Sequence, residues 1–239
     1  MNKKFVFLTI MFLFLALRFW SIGYDISNSD AARWHRRSES FLAAIKKGDL
    51  AATYRHYQPG VTLMWINSFV KQSISLYQRF SVDKNLTLEN YQKFPIIDGI
   101  SKSINILILL SLLVLQMYLI SKFFNSKIAL IYGLLISIEP YMVGIDRWFH
   151  LTSFETYFGF TAFLFILFYI KNLKTRWLFL GGLFLALAIL SKLTSLILLP
   201  FLIIVMFLST KSCKQTLLFV FITLVFCVLL FPALWVDAP

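Results

Sequence analysis

The residues of this chain that could carry out chemistry lie mainly in a polar loop after the first hydrophobic segment. The loop runs from Asn28 to Val61 and is rich in Asp, His, Arg, Trp and Tyr. Asp30 lies near its start, where an Asp fits either the N-cap of a following helix or a general base, two roles that one carboxylate can combine. Beside a membrane bundle, this composition indicates chemistry at the membrane surface.

A second group of ionisable residues lies in or next to later hydrophobic segments. Asp146 and His150 follow Glu139 by seven and eleven residues, which places the three on one helical face unless Pro140 kinks the helix. Ionisable groups are costly in or near a membrane span, so each one is a candidate functional residue.

Each of these residues also has a purely structural interpretation. Asp146 and Arg147 could neutralise each other at a helix end, and His150 could be an ordinary interfacial histidine. Lys192 stands between two long apolar runs and could extend its amine to the interface. Four aromatic residues in and just after the loop could form an interfacial belt and nothing more; they are Trp34, Tyr54, Tyr57 and Trp65.

The composition excludes a soluble protein. The 239 residues are 59% hydrophobic and 14% charged, with a mean hydropathy of +0.77, whereas soluble domains are roughly half apolar and about a quarter charged. The net charge of +12 comes mostly from basic residues that flank apolar runs, so it indicates membrane topology and not nucleic-acid binding. Cys213 and Cys227 have no metal-ligand spacing, and no metal or cofactor is expected.

The apolar runs predict an all-α polytopic membrane protein with about seven transmembrane helices. Arg18 and Trp20 stand where a signal peptide would have its small-residue cleavage site, which favours an uncleaved first helix. The predicted spans are residues 4–22, 98–121, 128–145, 151–170, 177–191, 193–209 and 215–235.

The segment between the first two predicted spans, residues 23–97, is a long loop with two juxtamembrane helices. Helical spacing of apolar residues predicts the first helix over residues 30–47, ended by Gly48. The second, over residues 61–77, contains Lys71 and is short for a span, so we expect it to lie in the membrane interface.

The basic residues of the short connections predict the orientation. They lie on one side together with Lys3 and Lys4, and the positive-inside rule makes that side cytoplasmic. Parity then places three segments together on the extracytoplasmic side: the loop of residues 23–97, the turn of residues 146–150, and residues 191–195. This holds only if residues 61–77 do not cross the membrane.

Four places in the chain resemble the GT-C type glycosyltransferases that use polyprenyl-phosphate sugars, such as the protein O-mannosyltransferases and the aminoarabinose transferases. The first is Asp30, an Asp in the first external loop. The second, residues 57–61 after Gly48-Asp49, is similar to a His-Pro-Pro or His-Pro-Gly segment. The third, residues 146–152, is similar to a Ser-Arg-x-x-His-x-Asp stretch. The fourth, residues 180–200, is similar to a small-residue helix followed by Thr/Ser-Lys and Leu-Leu-Pro.

The chain departs from the family pattern at two of these places. Gln58 stands where the family often has His, and Thr152 stands where many members have Asp. Most members are also longer, so the resemblance implies one GT-C-like transmembrane domain over residues 1–239 that is an N-terminal portion or a truncated product.

The resemblance implies transfer of a sugar from a polyprenyl phosphate to an acceptor hydroxyl, with inversion, on the extracytoplasmic face of the inner or plasma membrane. Asp30 is then the base that takes the acceptor proton. The leaving phosphate needs fixed cations, for which Lys192, Arg147 and Arg33 are the candidates. The other expected substrate-binding residues are Trp34, Tyr57, Gln58 and His150.

The implied partners are the lipid-linked sugar, membrane lipid, and an acceptor hydroxyl on a lipid, a glycan or a protein. Two other functions remain open at this point. A transporter or flippase-like bundle for a lipid-linked sugar would use the ionisable residues as a pathway, although no inverted repeat is visible in the sequence. The second open alternative is that the chain is an inactive remnant of a membrane protein.

Overall fold

The computed structural model describes residues 2–25, 29–55, 58–80 and 93–236. Within these ranges the chain contains no strand, which confirms the all-α fold class. Three short 3-10 helices, Ala51–Thr53, Leu193–Ile197 and Pro232–Trp235, connect or follow α-helices. The α-helices are α1 Lys3–Phe19, α2 Ser29–Lys47, α3 Val61–Phe80, α4 Phe94–Phe123, α5 Ser126–Ile138, α6 Pro140–Arg147, α7 Thr152–Asn172, α8 Thr175–Ser191, α9 Leu198–Thr210 and α10 Cys213–Leu230.

Several helices are long and apolar enough to cross a membrane. In the described ranges these are α4, α7, α10 and the segment Leu193–Thr210, which includes α9. The bent pair of α5 and α6 raises the number from four to five if it counts as one span. The expected seven is therefore not confirmed, since α1 and α8 have only 17 residues each. The protein is nevertheless a polytopic membrane protein.

Helix α7 lies at the centre of the bundle. Of its most apolar 18-residue stretch, 67% is buried, against 17% and 22% for the corresponding stretches of the segments that contain α9 and α10.

Two glycines of α8 allow close helix packing. A Cβ at Gly181 would lie 2.7 Å from Ile166 of α7, and one at Gly182 would lie 2.6 Å from Ile222 of α10. Small residues at such crossings let helix backbones approach each other.

The break between α5 and α6 is the kink at Pro140 that the sequence left open as an alternative to one helical face. The two helices meet at an angle of 61°, because Pro140 starts α6 and Glu139 caps it by accepting a hydrogen bond of 2.6 Å from the Met142 amide. Glu139 is exposed, Asp146 is buried, and His150 lies beyond the helix. The three residues therefore share no face.

Asp146 is neutralised by Arg18, so the structural interpretation in which Asp146 pairs with Arg147 is wrong. Arg18 donates from Nε to Asp146 Oδ2 over 2.8 Å, and both side chains are fully buried. Arg18 also donates to the carbonyls of Ile136 and Ser137, each over 3.0 Å, while the Tyr157 hydroxyl donates to Asp146 over 3.0 Å. These bonds join α1 to α5, α6 and α7.

The two juxtamembrane helices form where the sequence predicts them, as α2 and α3. Helix α2 ends in a Schellman motif: Gly48 has φ +73°, its amide donates to Ile45, and the Asp49 amide donates to Ala44. Helix α3 is not among the helices suited to a membrane span, in agreement with an interfacial position.

Helix α2 is attached to α4 through a buried polar network. His35 Nε2 lies 3.0 Å from Asp98 Oδ1, and Lys102 Nζ lies 2.8 Å from the other oxygen of Asp98. The His35 ring stacks on Phe149 at a centroid distance of 4.0 Å. Burial outweighs the neighbouring carboxylate and lowers the pKa of His35 below 6.5. The network fixes α2 against the bundle.

Candidate active site

Three segments that are far apart in the sequence meet at one end of the bundle. They are the first turn of α2 with Asp30, the turn between α6 and α7 with His150, and the break after α8 with Lys192. We call this end the polar end. Asp30 Oδ2 lies 3.7 Å from His150 Nε2, and the Gly60 amide donates to the Ser191 carbonyl over 3.2 Å.

Asp30 is the most accessible carboxylate in this group, with 40% of its side chain exposed. Helix α2 begins one residue earlier, at Ser29, so Asp30 lies within the first turn and not at the N-cap. Its two oxygens have different neighbours: Oδ1 lies 3.2 Å from Arg33, and Oδ2 faces His150. This exposure and pairing suit a carboxylate that accepts a proton.

His150 is oriented by Thr152. The Thr152 amide donates to His150 Nδ1 over 3.3 Å, and the Thr152 hydroxyl lies 3.0 Å from the same nitrogen. Because an amide can only donate, Nδ1 is an acceptor and the ring proton is on Nε2, which faces Asp30. Burial, and then the charge of Lys192, lower the pKa of His150 below 6.5 despite Asp30 and Glu155.

Lys192 is placed by a break in the helix. Helix α8 ends at Ser191, and Lys192 has an extended backbone with φ −152° and ψ 131°. Its Nζ lies 3.4 Å from the Thr152 hydroxyl and 3.7 Å from Glu155 Oε2, with 24% of the side chain exposed. Lys192 is therefore linked to Asp30 through Thr152 and His150.

Glu155 also lies in this group of residues, although no motif in the sequence singles it out. It accepts hydrogen bonds from the hydroxyls of Thr194 and Ser195, the latter over 3.3 Å, in addition to its contact with Lys192. The available signal was a carboxylate in the first turn of a long apolar helix. An acid at a helix N-terminus is also an ordinary stabilising feature, so this signal was ambiguous.

Arg147 lies in a different cluster from Asp30 and Lys192. Its Nη2 donates to the Trp20 carbonyl over 2.7 Å and lies 3.4 Å from Asp25 Oδ2. Asp25 also accepts a bond of 2.9 Å from Lys102 of the α2–α4 network. The structure thus brings together Asp30, His150 and Lys192 but holds Arg147 in a neighbouring ion-pair network.

Trp34 is part of the core, with 3% of its surface exposed. The Arg37 guanidinium lies 4.6 Å from the ring centroid. On another side Gly60, with φ +57°, approaches so closely that a Cβ there would collide with the ring. Trp34 therefore positions the loop around Gly60, and the expected packing of a sugar on this ring has no open face in the structure.

The other two residues expected to bind substrate are less defined. Gln58 is half-buried, and its side-chain oxygen has no hydrogen-bond partner among the described residues. Tyr57 lies outside the described residues.

Apolar grooves open next to the polar end. One, of about 490 Å³, has Glu155, Thr194 and Ser195 at one part of its wall and Phe160, Phe163 and Phe201 at another. A second, of about 840 Å³, lies between α3 and α4. It shares Ile66, Phe69 and Ile108 with a third of about 500 Å³. The first groove combines polar groups with walls that suit an alkyl chain.

The described residues contain no group of three or more His, Cys, Asp or Glu side chains that could hold a metal ion.

The fold and site define a class: polytopic membrane proteins with an ionisable cluster at one end of the helix bundle, beside grooves suited to a lipid chain. Residues 100–235 match the family described as dolichyl-phosphate-mannose-protein mannosyltransferase. The chain belongs to this family and is a membrane glycosyltransferase of the GT-C type. Comparison with curated proteins and with solved structures gives no match. The matched region contains His150, Glu155 and Lys192, and it begins after Asp30.

Proposed function

We propose that this protein transfers a sugar from a polyprenyl-phosphate donor to an acceptor hydroxyl, with inversion, on the extracytoplasmic face of the cell membrane. One observation carries the proposal: an exposed carboxylate, Asp30, is linked through His150 and Thr152 to a cation, Lys192, beside a groove with apolar walls. The family membership supports sugar transfer, and the geometry supports the roles of the residues.

In this mechanism Asp30 takes the proton of the acceptor hydroxyl while the hydroxyl oxygen attacks the anomeric carbon. The bond from that carbon to the phosphate oxygen breaks, and the electron pair leaves on the phosphate. The products are the glycosylated acceptor, the free polyprenyl phosphate, and a proton on Asp30. A single displacement inverts the anomeric configuration. The Nε2–H of His150 faces Asp30 Oδ2 across 3.7 Å, which is longer than a hydrogen bond.

Lys192 and Thr152 are the groups that would receive the donor phosphate. Negative charge grows on the leaving oxygen during the reaction, and fixed donors there lower the barrier. Glu155 balances the charge of Lys192 in the structure. With Thr194 and Ser195 it also forms a polar row at the groove wall that suits sugar hydroxyls. The phenylalanines of the same groove would cover the lipid chain.

The proposed orientation follows from the basic residues of the opposite end. Lys122, Lys171 and Lys174 lie there, and the Lys171 amine is 5.1 Å from the ring centroid of Phe123, which shows that the ends of α4 and α7 are adjacent. The positive-inside rule places this end and the N-terminus in the cytoplasm. The polar end then faces outward.

The test is transfer by the purified full chain in bilayer nanodiscs, supplied with a panel of labelled polyprenyl-phosphate sugars and envelope extracts as acceptors. We expect labelled product from the wild type and a loss of about 100-fold or more in Asp30→Asn, because the amide cannot accept the proton. Asp49→Asn is the matched control: Asp49 is exposed just beyond the far end of α2, and this variant should keep full activity.

Two outcomes would count against the proposal. Full transfer by Asp30→Asn would exclude Asp30 as the base. A wild-type chain that moves the labelled lipid across vesicle membranes without forming product would favour the transporter instead.

A further inference from the structure

A cavity lined by arginines lies next to Asp30. It has a volume of about 360 Å³ and is formed by α2 together with the segment after the 3-10 helix Ala51–Thr53. We call it the arginine pocket; its lining residues are Ala32, Arg33, Arg36, Arg37, Ser40 and Arg55. Unlike the apolar grooves, it brings four guanidinium side chains to one small space.

The positive charge of the arginine pocket is largely unbalanced. Among the described residues, Arg33 is the one arginine of the four with an ion pair to a carboxylate, Asp30 at 3.2 Å. Arg36, Arg37 and Arg55 have no such pair within the same ranges, and the Nε of Arg55 is buried without a hydrogen-bond partner. Burial, and then the charge of Arg33, lower the pKa of Arg37.

This arrangement has the chemistry of a phosphate site. A guanidinium presents two parallel N–H donors that match phosphate oxygens, and several of them converging on a cavity bind a doubly charged anion well. The stacking of Arg37 on Trp34, at 4.6 Å, holds one of the side chains in place. A doubly charged phosphate would relieve the repulsion among the four arginines and give the buried Nε of Arg55 an acceptor.

The position of the pocket indicates which substrate it serves. The two oxygens of Asp30 face different ways: Oδ2 faces His150 and the Lys192 side of the site, and Oδ1 faces Arg33 of the pocket. If the donor phosphate occupies Lys192, the arginine pocket remains for a second anion on the other side of the base. We propose that the arginine pocket binds a phosphate group of the acceptor and so presents a nearby acceptor hydroxyl to Asp30.

This proposal rests on the proposed function and narrows its acceptor to a phosphate-bearing lipid or glycan. The phosphate is a recognition group and takes no part in bond making. Lipid-borne and soluble phosphates share this chemistry, so the test must separate them.

The experiment measures binding by calorimetry to the full chain in phosphatidylcholine nanodiscs. The probes are methyl phosphate, which is soluble, and dihexanoyl phosphatidic acid, which carries the same group on a lipid; dimethyl phosphate, a diester with a single negative charge, is the reference. We expect both phosphate monoesters to bind. Arg36→Gln and Arg55→Gln should each weaken binding about tenfold, and Arg36→Lys should recover only part because an ammonium cannot bind in a fork.

Lys46→Gln provides the matched control, because it removes one exposed positive charge from the other end of α2. It should leave both dissociation constants unchanged, and the melting temperatures of all variants should agree. Equal weakening by Lys46→Gln and Arg36→Gln would show a general effect of surface charge and overturn the site. Binding of phosphatidic acid that is equally tight in the wild type, Arg36→Gln and Arg55→Gln would show a contact with anionic membrane lipid instead and would also overturn it.

Binding is measured without any sugar donor, so its result is independent of the proposed reaction. Phosphate binding without transfer by the wild type would overturn the proposed function and the acceptor role, and would keep the anion site. Transfer without phosphate binding would overturn the site alone. Where both occur, Arg36→Gln should raise the KM for a phosphorylated acceptor about tenfold and leave kcat unchanged.

Discussion

At the scale of single residues, Asp30 and Lys192 have separate environments that suit separate roles. Asp30 is 40% exposed and has two weakly held oxygens, whereas Lys192 is mostly covered and bonded to Thr152. His150 lies between them. Burial, and then the charge of Lys192, disfavour the protonated form of its ring and lower its pKa. A neutral imidazole leaves the Asp30 carboxylate free to accept a proton.

The pH dependence of transfer should show this balance. The pKa of His150 is lowered below 6.5, so the ring is neutral near pH 7 and becomes an imidazolium as the pH falls through the lowered value. The cation would pair with Asp30 and make it a poorer base, so kcat/KM should fall on the acid side. His150→Gln should flatten this part of the profile measured from neutral to acid pH, and an unchanged profile would exclude His150 as its origin.

Lys192 allows a matched comparison within one helix, because Lys192 and Lys174 flank opposite ends of α8. We expect Lys192→Gln to lower kcat about 100-fold, since the leaving phosphate loses its fixed cation. Lys174→Gln removes the same charge from the opposite end and should transfer sugar at the wild-type rate. The measurement is single-turnover transfer at saturating donor. Equal losses in the two variants would point to an effect on membrane insertion.

At the scale of elements, α1 is held to the bundle by one buried ion pair. Arg18 and Asp146 are each fully buried, and Arg18 also satisfies the carbonyls of Ile136 and Ser137 near the end of α5. The bend at Pro140 exposes the last carbonyls of α5, and Arg18 supplies donors for two of them. Arg18, a charged residue in the apolar helix α1, therefore stabilises the break between α5 and α6.

Removal of one residue of the Arg18–Asp146 ion pair should lower the stability of the folded protein. Arg18→Met leaves Asp146 buried without its cation, and losing one member of a buried pair costs about 3–5 kcal/mol. We expect a much lower melting temperature for Arg18→Met in nanodiscs. Arg18→Met/Asp146→Asn should recover part of the loss because no unpaired charge remains. A double variant no more stable than Arg18→Met would show that the loss does not come from an unpaired charge on Asp146.

At the scale of the whole molecule, the sequence predicts the elements better than their partners. Long apolar runs predict the membrane helices. The distribution of lysines between the two sides of the membrane predicts that Asp30, His150 and Lys192 lie at one end of the bundle, and the structure has them there. The pairing of Arg18 with Asp146 spans 128 residues and depends on how the helices pack, which no local pattern contains.

For the candidate site too, the sequence predicts which residues are present but not which partners they contact. Residue type and position predict that Arg147 is functional, but Asp25 and the Trp20 carbonyl hold it in another network. Trp34 is the type of residue that packs against a sugar ring, yet its own ring is covered because Gly60 packs against it. The orientation of a side chain on an amphipathic helix depends on what covers the helix, and α2 is covered by segments distant in sequence.

The short length of α8 also has a consequence for the membrane itself. Its 17 residues span about 25 Å, whereas the hydrocarbon core of a bilayer is about 30 Å thick. We expect the bilayer to thin locally beside Lys192 to match this helix, which would bring headgroup phosphates deeper at that place. Transfer should then be faster in nanodiscs of dipalmitoleoyl than of dierucoyl phosphatidylcholine, and rates independent of chain length would contradict this. Membrane thickness would then control the rate of the reaction.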